Sequence, residues 1–149
     1  MMESLHPLIV HFPIALLLTS VGLDSAALLL RRPGWHRIAL WNLVLGTFGA
    51  GGAVLSGLHA EEMAKHSFEI WKLITLHERL GFCTLSLGIV GSVVRLLMRD
   101  RLGSLARAVT MFLALAMVTT ISWGAFLGGR LVYELGVGGS FGRQAVPQP

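Results

Sequence analysis

The chain has 149 residues, of which 54% are hydrophobic and only 13% are charged, whereas soluble domains carry about 25% charged residues. This composition argues against an ordinary soluble domain. The formal net charge of +4 does not indicate nucleic-acid binding, because the arginines cluster beside apolar runs. The single cysteine, Cys83, excludes an internal disulfide framework and a Cys-x-x-Cys-His site for covalent haem.

Four apolar runs are long enough to cross a bilayer, which requires about 20 mainly apolar residues. They cover residues 8–30, 38–58, 73–97 and 109–127. The first run has no basic segment before it, so we expect a retained helix and not a signal peptide. The sequence therefore predicts an all-α, integral membrane four-helix bundle over residues 1–135, followed by a flexible Gly/Pro-rich tail over 136–149.

The first span opens with the motif His-Pro-Leu-Ile-Val-His-Phe-Pro, which runs from His6 to Pro13. Proline is tolerated in the first turn of a helix, where the amide donors have no partner within the helix. We therefore expect an irregular turn before Pro13 and helical order beginning near His11.

Arginines indicate how the bundle is oriented. Two short connections hold seven of them: Arg31, Arg32, Arg37, Arg95, Arg99, Arg101 and Arg107. By the positive-inside rule both connections face the cytoplasm. The two termini and the second connection are then expected on the outer side.

Three polar residues are expected to meet near the inner ends of the first three spans: Asp24, Asn42 and Arg95. A carboxylate within a bilayer is costly and normally faces the bundle interior with a partner. We favour a structural link between helices for this cluster, with a proton path as the alternative.

The second connection, residues 59–72, is polar and long enough to form an interfacial segment of its own. In a helix its polar residues would form one stripe: His59, Glu62, His66 and Glu69. A solvated polar face is the simpler interpretation. The alternative is a copper or zinc site in which His59, Glu62 and His66 converge with His6.

Five of the six histidines are placed at the outer end of the bundle: His6, His11, His59, His66 and His77. His11 and His77 fall at matching depth on different helices, as a bis-histidine b-type haem requires. We therefore predict haem b ligation by His11 and His77, with His59 as a further cofactor-binding residue and Glu62 and Glu78 as supporting carboxylates. The alternative is that His11 and His77 only form hydrogen bonds between helices. His36, on the inner side, is left out of this group.

The order of several short motifs resembles a bacterial family of small four-helix membrane proteins, the domain of unknown function family 2231. The matching pieces are His6-Pro7, Val10-His11-Phe12-Pro13, residues 57–62, Leu76-His77-Glu78, and Gly128-Gly129-Arg130-Leu131-Val132-Tyr133 with Gly136. The resemblance implies a redox-associated membrane module and brings no established activity; together with the positive-inside rule it leads us to expect a bacterial inner-membrane protein with periplasmic termini. Where related proteins often carry further histidines, this chain has Phe126 and Leu135.

These observations favour a non-catalytic electron-transfer subunit that binds haem b, contacts membrane lipids and passes electrons to other membrane or periplasmic redox subunits. One rival is a structural or assembly subunit of a respiratory or photosynthetic complex without its own cofactor. The other is a copper- or zinc-binding membrane protein. Catalysis is not expected, because the sequence shows no nucleophile elbow, phosphate loop or paired carboxylates at a recognisable spacing.

Overall fold

The computed structural model describes residues 6–63, 67–98 and 104–137. Within these ranges the chain forms four helices: α1 (His6–Leu29), α2 (Gly34–Met63), α3 (Phe68–Met98) and α4 (Ser104–Tyr133). All four are long and apolar enough to cross a membrane. The prediction of an all-α bundle with four spans is confirmed.

The helices run alternately up and down, so that each packs against its neighbour in sequence. α1 packs closely on α2, α2 on α3 and α3 on α4, whereas α1 and α4 touch only lightly. As a result α1 and α3 stand on opposite sides of the bundle axis, and the bundle is loosest between α1 and α4. Such up-and-down packing follows from short connections between antiparallel helices.

The core of the bundle is narrow, and the large apolar side chains mostly point outward. A cluster of buried residues occupies the centre: Leu17, Leu43, Ala50, Met117 and Ile121. By contrast, 78% of Phe48 and 70% of Phe112 are exposed on the outer surface. Since lipid tails are as apolar as leucine, a membrane helix gains little by burying such side chains and packs instead through small residues.

Two glycines of the spans show how closely the helices approach. A Cβ atom added at Gly46 would lie 2.8 Å from Cδ2 of Leu17, and one at Gly88 would lie 2.6 Å from Oγ1 of Thr47. Both distances are shorter than ordinary van der Waals contacts. These glycines therefore set the spacing of α1 from α2 and of α2 from α3.

Helical order begins at His6 and continues through Pro13, so the expectation that it begins near His11 is wrong. This start changes which histidine faces the interior. His6, Val10 and Pro13 are spaced i, i+4, i+7 and share one face of α1. His11 is five residues after His6 and is therefore rotated about 140° away from it.

The turn between α1 and α2 holds an arginine in an unusual conformation. Arg31 has φ = 51°, and the amide of Arg32 donates to the carbonyl of Ala27 over 3.0 Å. Glycine normally occupies this left-handed position at the end of a helix. An L-residue held there costs about 1–2 kcal/mol, because Cβ crowds the backbone.

The second connection does not form a separate interfacial helix in the described residues. α2 continues to Met63 and α3 begins at Phe68, so most of residues 59–72 belongs to the ends of these two long helices. His66 lies outside the described residues. The tail beyond residue 137 lies outside them as well; α4 is followed by Gly136 with φ = 66°, as expected for a helix C-terminus.

Candidate functional site

The end of the bundle that holds His6, Glu61, His77 and Gly128 is called the histidine end here. It contains a cavity of about 600 Å³ between the four helices, the histidine cavity. Most of its wall is apolar, with residues such as Val10, Ile74 and Ile121, and its polar members include three histidines and two glutamates. Cavities of this size and lining are typical of small-molecule and cofactor sites.

His6 enters the cavity from α1 with its ring held in one tautomer. Its Nδ1 lies 2.8 Å from Oγ of Ser56 on α2. The Ser56 hydroxyl donates its single hydrogen to the carbonyl of Ala53 over 2.9 Å, so Oγ accepts a hydrogen bond from His6. The proton of His6 therefore sits on Nδ1, and Nε2 carries a lone pair.

His77 enters from α3 and is held in the same tautomer by a different partner. Its Nδ1 lies 3.0 Å from the carbonyl oxygen of Gly124 on α4. A carbonyl can only accept a hydrogen bond, so Nδ1 of His77 is the donor and its Nε2 carries the lone pair. Metal-ligating histidines are generally oriented in this way, with the second ring nitrogen donating to a carbonyl, a carboxylate or water.

The two imidazoles approach each other across the bundle axis. Their ring centroids are 6.4 Å apart and their planes are at 88°. Among the described residues, the structure gives no hydrogen bond to Nε2 of either ring. Two lone-pair nitrogens thus belong to neighbouring rings in one cavity.

Each ring is accommodated by a glycine of the adjacent helix. A Cβ atom added at Gly57 would lie 3.1 Å from Cε1 of His6, and one at Gly128 would lie 3.0 Å from Cε1 of His77. Any larger residue at these positions would push against the imidazoles. In each helical hairpin, α1–α2 and α3–α4, a histidine of the first helix therefore packs against a glycine of the second.

Burial favours the neutral form of His6, which precedes the span Leu8–Leu29. Removal from water, together with the nearby His77, lowers the pKa of His6 below its ordinary value. A neutral imidazole is the form that can ligate a metal. The environment of His6 thus keeps its Nε2 lone pair available at neutral pH.

Two carboxyl groups complete the polar part of the wall. The side chains of Glu61 on α2 and Glu78 on α3 both line the cavity and interact with each other. Oε1 of Glu78 is buried and has no hydrogen-bond partner among the described residues. The sequence predicted Glu62 and Glu78 as supporting carboxylates. The structure places Glu78 in the cavity wall together with Glu61, whereas the side chain of Glu62 is not among those that the structure describes.

The other predicted cofactor residues occupy different positions. His11 lines the cavity, but its side chain is largely exposed, and the ring that packs against His77 is that of His6. His59 is exposed near the end of α2 and is absent from the cavity wall. His66 lies outside the described residues, and of the residues of the copper or zinc hypothesis the cavity wall contains His6 but not His59.

The opposite end of the bundle, the arginine end, holds Asp24, Arg31, Arg32, Arg37 and Arg95. Asp24 on α1 forms a two-point ion pair with Arg95 on α3: Nη1 contacts Oδ2, and Nη2 lies 2.9 Å from Oδ1. His36 on α2 donates from Nδ1 to Oδ1 of Asp24 over 2.8 Å. Nη2 of Arg95 also donates to the carbonyl of His36 over 2.9 Å, so the cluster links three helices.

Asn42 does not join this cluster, contrary to our expectation. Its amide donates to the carbonyl of Ile38 on its own helix over 2.9 Å. Asn42 lies six residues after His36 and is therefore rotated about 120° away from it on α2. His36 is the residue of α2 that reaches Asp24.

Sequence reasoning missed His6 as the partner of His77, and it missed the role of Gly57 and Gly128. The helix period offers a signal for His6 once the helix is known to start there, because His6 shares a face with Val10 and Pro13. The two glycines stand in motifs that the family resemblance already contained. Their position under the imidazoles follows only from how the hairpins pack.

A comparison with known families matches residues 2–140 to the family described as Predicted membrane protein (DUF2231). The match covers nearly the whole chain, and the family prediction is confirmed. No curated protein and no solved structure matches the chain.

Proposed function

The chain belongs to this family of predicted membrane proteins, and we propose that it is an electron-transfer subunit that binds one b-type haem through His6 and His77. The observation that carries this proposal is the pair of imidazoles in the histidine cavity. Both rings have their proton on Nδ1, both have a lone pair on Nε2, and their centroids are 6.4 Å apart.

The two rings are close enough for one ligand to contact both of them, because their centroids are 6.4 Å apart and both line the same cavity. The hydrogen bonds to Ser56 and Gly124 would hold the rings in position for ligation.

A macrocycle fits these residues better than a bare ion. A structural zinc site has four protein ligands, and even a catalytic site has three. Among the described residues no group of three or more His, Cys, Asp or Glu side chains could hold a metal ion. Two histidines suffice where the ligand supplies the remaining donors, as a porphyrin does for its iron.

The size and lining of the cavity support the same ligand. Its volume of about 600 Å³ and its apolar wall suit a large, flat, mostly apolar molecule. The light contact between α1 and α4 would give such a molecule a way in from the lipid. When bound, haem would supply one-electron chemistry, while His6 and His77 would hold it and the apolar wall would provide its surroundings.

The position of the histidine cavity relative to the membrane suggests which redox partner would accept the electrons. With the arginine end in the cytoplasm by the positive-inside rule, the histidine cavity would lie near the periplasmic face of a bacterial inner membrane. Electrons would then pass to a periplasmic or membrane-bound redox subunit. His11, exposed at the cavity wall, is on the side that such a partner would approach.

The proposal is tested by a reduced-minus-oxidised visible spectrum of the protein purified in detergent after expression with ample haem. We expect sharp b-type bands at one haem per chain, lost in both His6→Ala and His77→Ala. His59→Ala and His36→Ala serve as matched controls, since both rings lie outside the histidine cavity, and both should keep the bands.

The possible outcomes separate the hypotheses. If the haem bands survive in His6→Ala but are lost in His11→Ala, the ligands are His11 and His77, the pair predicted from the sequence. A flat spectrum in the wild-type protein would overturn the proposal. Metal analysis of the same colourless sample would then distinguish a copper or zinc protein from a structural subunit without a cofactor.

A further inference from the structure

We propose that the arginine end binds an anionic phospholipid, with its phosphate held by Arg31, Arg32 and Arg37 and one acyl chain in a second cavity beside them. This site is separate from the histidine cavity and does not depend on haem. The argument rests on the charges of the turn, on the conformation of Arg31 and on the position of the second cavity.

The turn between α1 and α2 carries positive charge that no acidic side chain neutralises within the described residues. Arg31, Arg32 and Arg37 are exposed, and none of them takes part in an ion pair there. The nearby carboxylate of Asp24 is already paired with Arg95. Arg31 and Arg32 in the turn and Arg37 in the first turn of α2 therefore form no ion pair within the described residues, and a guanidinium group matches the geometry of a phosphate.

The conformation of Arg31 indicates that its side chain has a use at this position. The residue is held at φ = 51°, where glycine would be free of strain. Strained backbone positions in folded proteins tend to mark places where function constrains the residue. An arginine kept in a glycine position fits a role in binding a ligand of opposite charge.

The second cavity lies directly behind this turn. Its volume is about 370 Å³, and its wall combines apolar residues, such as Leu28, Leu43 and Leu113, with the ion-paired cluster of Asp24, His36 and Arg95. Residues of α1 and α4 both contribute to it, and these two helices touch only lightly. An acyl chain could therefore enter from the lipid between α1 and α4 while its headgroup stays at the turn.

The surroundings of the turn select a lipid over other anions. The first candidate span ends at Leu29 and the second begins at Gly34, so Arg31 and Arg32 lie between the spans and Arg37 lies in the first turn of the second, at the level of the headgroups. Trp35, also exposed there, is typical of the membrane interface. Basic pockets between membrane helices are a recurring way of binding anionic headgroups.

The experiment compares lipids on the full-length protein in detergent. The protein is mixed with equal amounts of dioleoylphosphatidylglycerol and dioleoylphosphatidylcholine, and the lipids retained are counted by native mass spectrometry. We expect a preference for the anionic lipid that falls about fivefold for each arginine removed, in Arg31→Gly and then in Arg31→Gly/Arg32→Gln/Arg37→Gln.

Two controls keep the result interpretable. Arg31→Gly relieves backbone strain and should keep or raise the melting temperature, so a loss of binding cannot be attributed to unfolding. Lys72→Gln/Arg79→Gln removes two exposed charges from α3 towards the other end and should leave the lipid preference unchanged. Ala114→Phe narrows the second cavity and should reduce retention of the anionic lipid.

Three results would overturn the proposal. The triple variant could keep the wild-type preference, or the Lys72→Gln/Arg79→Gln control could lose as much preference as the triple variant does. In either case the arginine turn would not be the binding site. Unchanged retention in Ala114→Phe would show that the second cavity does not hold an acyl chain.

Discussion

The two ends of the bundle use buried polar residues in opposite ways. At the arginine end, Asp24 accepts from both Arg95 and His36, and Arg95 also reaches the carbonyl of His36. At the histidine end, His6 and His77 each use only one ring nitrogen in the hydrogen bonds of the structure. The polar groups of the arginine end pair with one another, whereas each histidine of the cavity keeps a lone pair on Nε2 that no group among the described residues occupies.

This difference separates a structural role from a binding role. Breaking a buried ion pair leaves an uncompensated charge, so its members contribute to the fold and have little capacity left for a ligand. A neutral imidazole with a free nitrogen is tolerated because its other nitrogen is bonded and its ring is seated over glycine. The unused nitrogen is then available to whatever enters the cavity.

The largest effect on stability is expected when the ion pair is broken. Arg95→Leu leaves Asp24, only 17% exposed, without its main partner and should cost about 3–5 kcal/mol of unfolding free energy. Thermal unfolding in detergent measures the loss. The double variant Asp24→Leu/Arg95→Leu should recover most of it, because no charge is then left buried; equal losses in the two variants would contradict the structural role.

The next largest effect should appear at the histidine end, as a loss of haem affinity and not of stability. Ser56→Ala removes the oxygen that accepts from Nδ1 of His6, and loss of such an orienting partner typically lowers metal affinity about 10–100-fold. Haem titration of the apo-protein measures it. Ser25→Ala is the matched control, because the hydroxyl of Ser25 bonds to the carbonyl of Val21 on its own helix and its loss should leave haem affinity unchanged.

A smaller loss of affinity is expected where a methyl group is placed beneath an imidazole. Gly128→Ala puts a Cβ atom 3.0 Å from Cε1 of His77, whereas one at Gly129 meets nothing within 4 Å. Haem affinity should fall roughly tenfold in the first variant, since crowding a packed site typically costs about 1–3 kcal/mol. The same titration should give wild-type affinity for Gly129→Ala; equal affinities in the two variants would argue against His77 as a ligand.

The smallest effect is expected from His36. His36→Gln removes the bond to Asp24, but the His36 side chain is 40% exposed and Arg95 still pairs with the carboxylate. The melting temperature should fall by much less than in Arg95→Leu, and haem bands should not change. A loss as large as that of Arg95→Leu would mean that the two contacts act as a unit.

Much of the bundle could be predicted from sequence because each span is encoded locally. Apolar runs of sufficient length require helices in a bilayer, where every backbone polar group must be bonded within its own segment. The same reasoning placed His6, His11 and His77 at one end and brought Asp24 together with Arg95. It was less accurate at helix ends, where α1 begins five residues before His11 and α2 continues through the segment expected to lie along the interface.

The sequence by itself determined the four helices, the placement of His6, His11 and His77 at one end and of Asp24 with Arg95 at the other, and the membership of the family. Only the tertiary structure decided that His6, and not His11, contacts His77, and that His36, and not Asn42, contacts Asp24. The reason in both cases is rotation about a helix axis. A shift of five or six residues changes depth by about 8–9 Å and also turns the side chain by more than 100°, and packing against the neighbouring helices sets which face points inward.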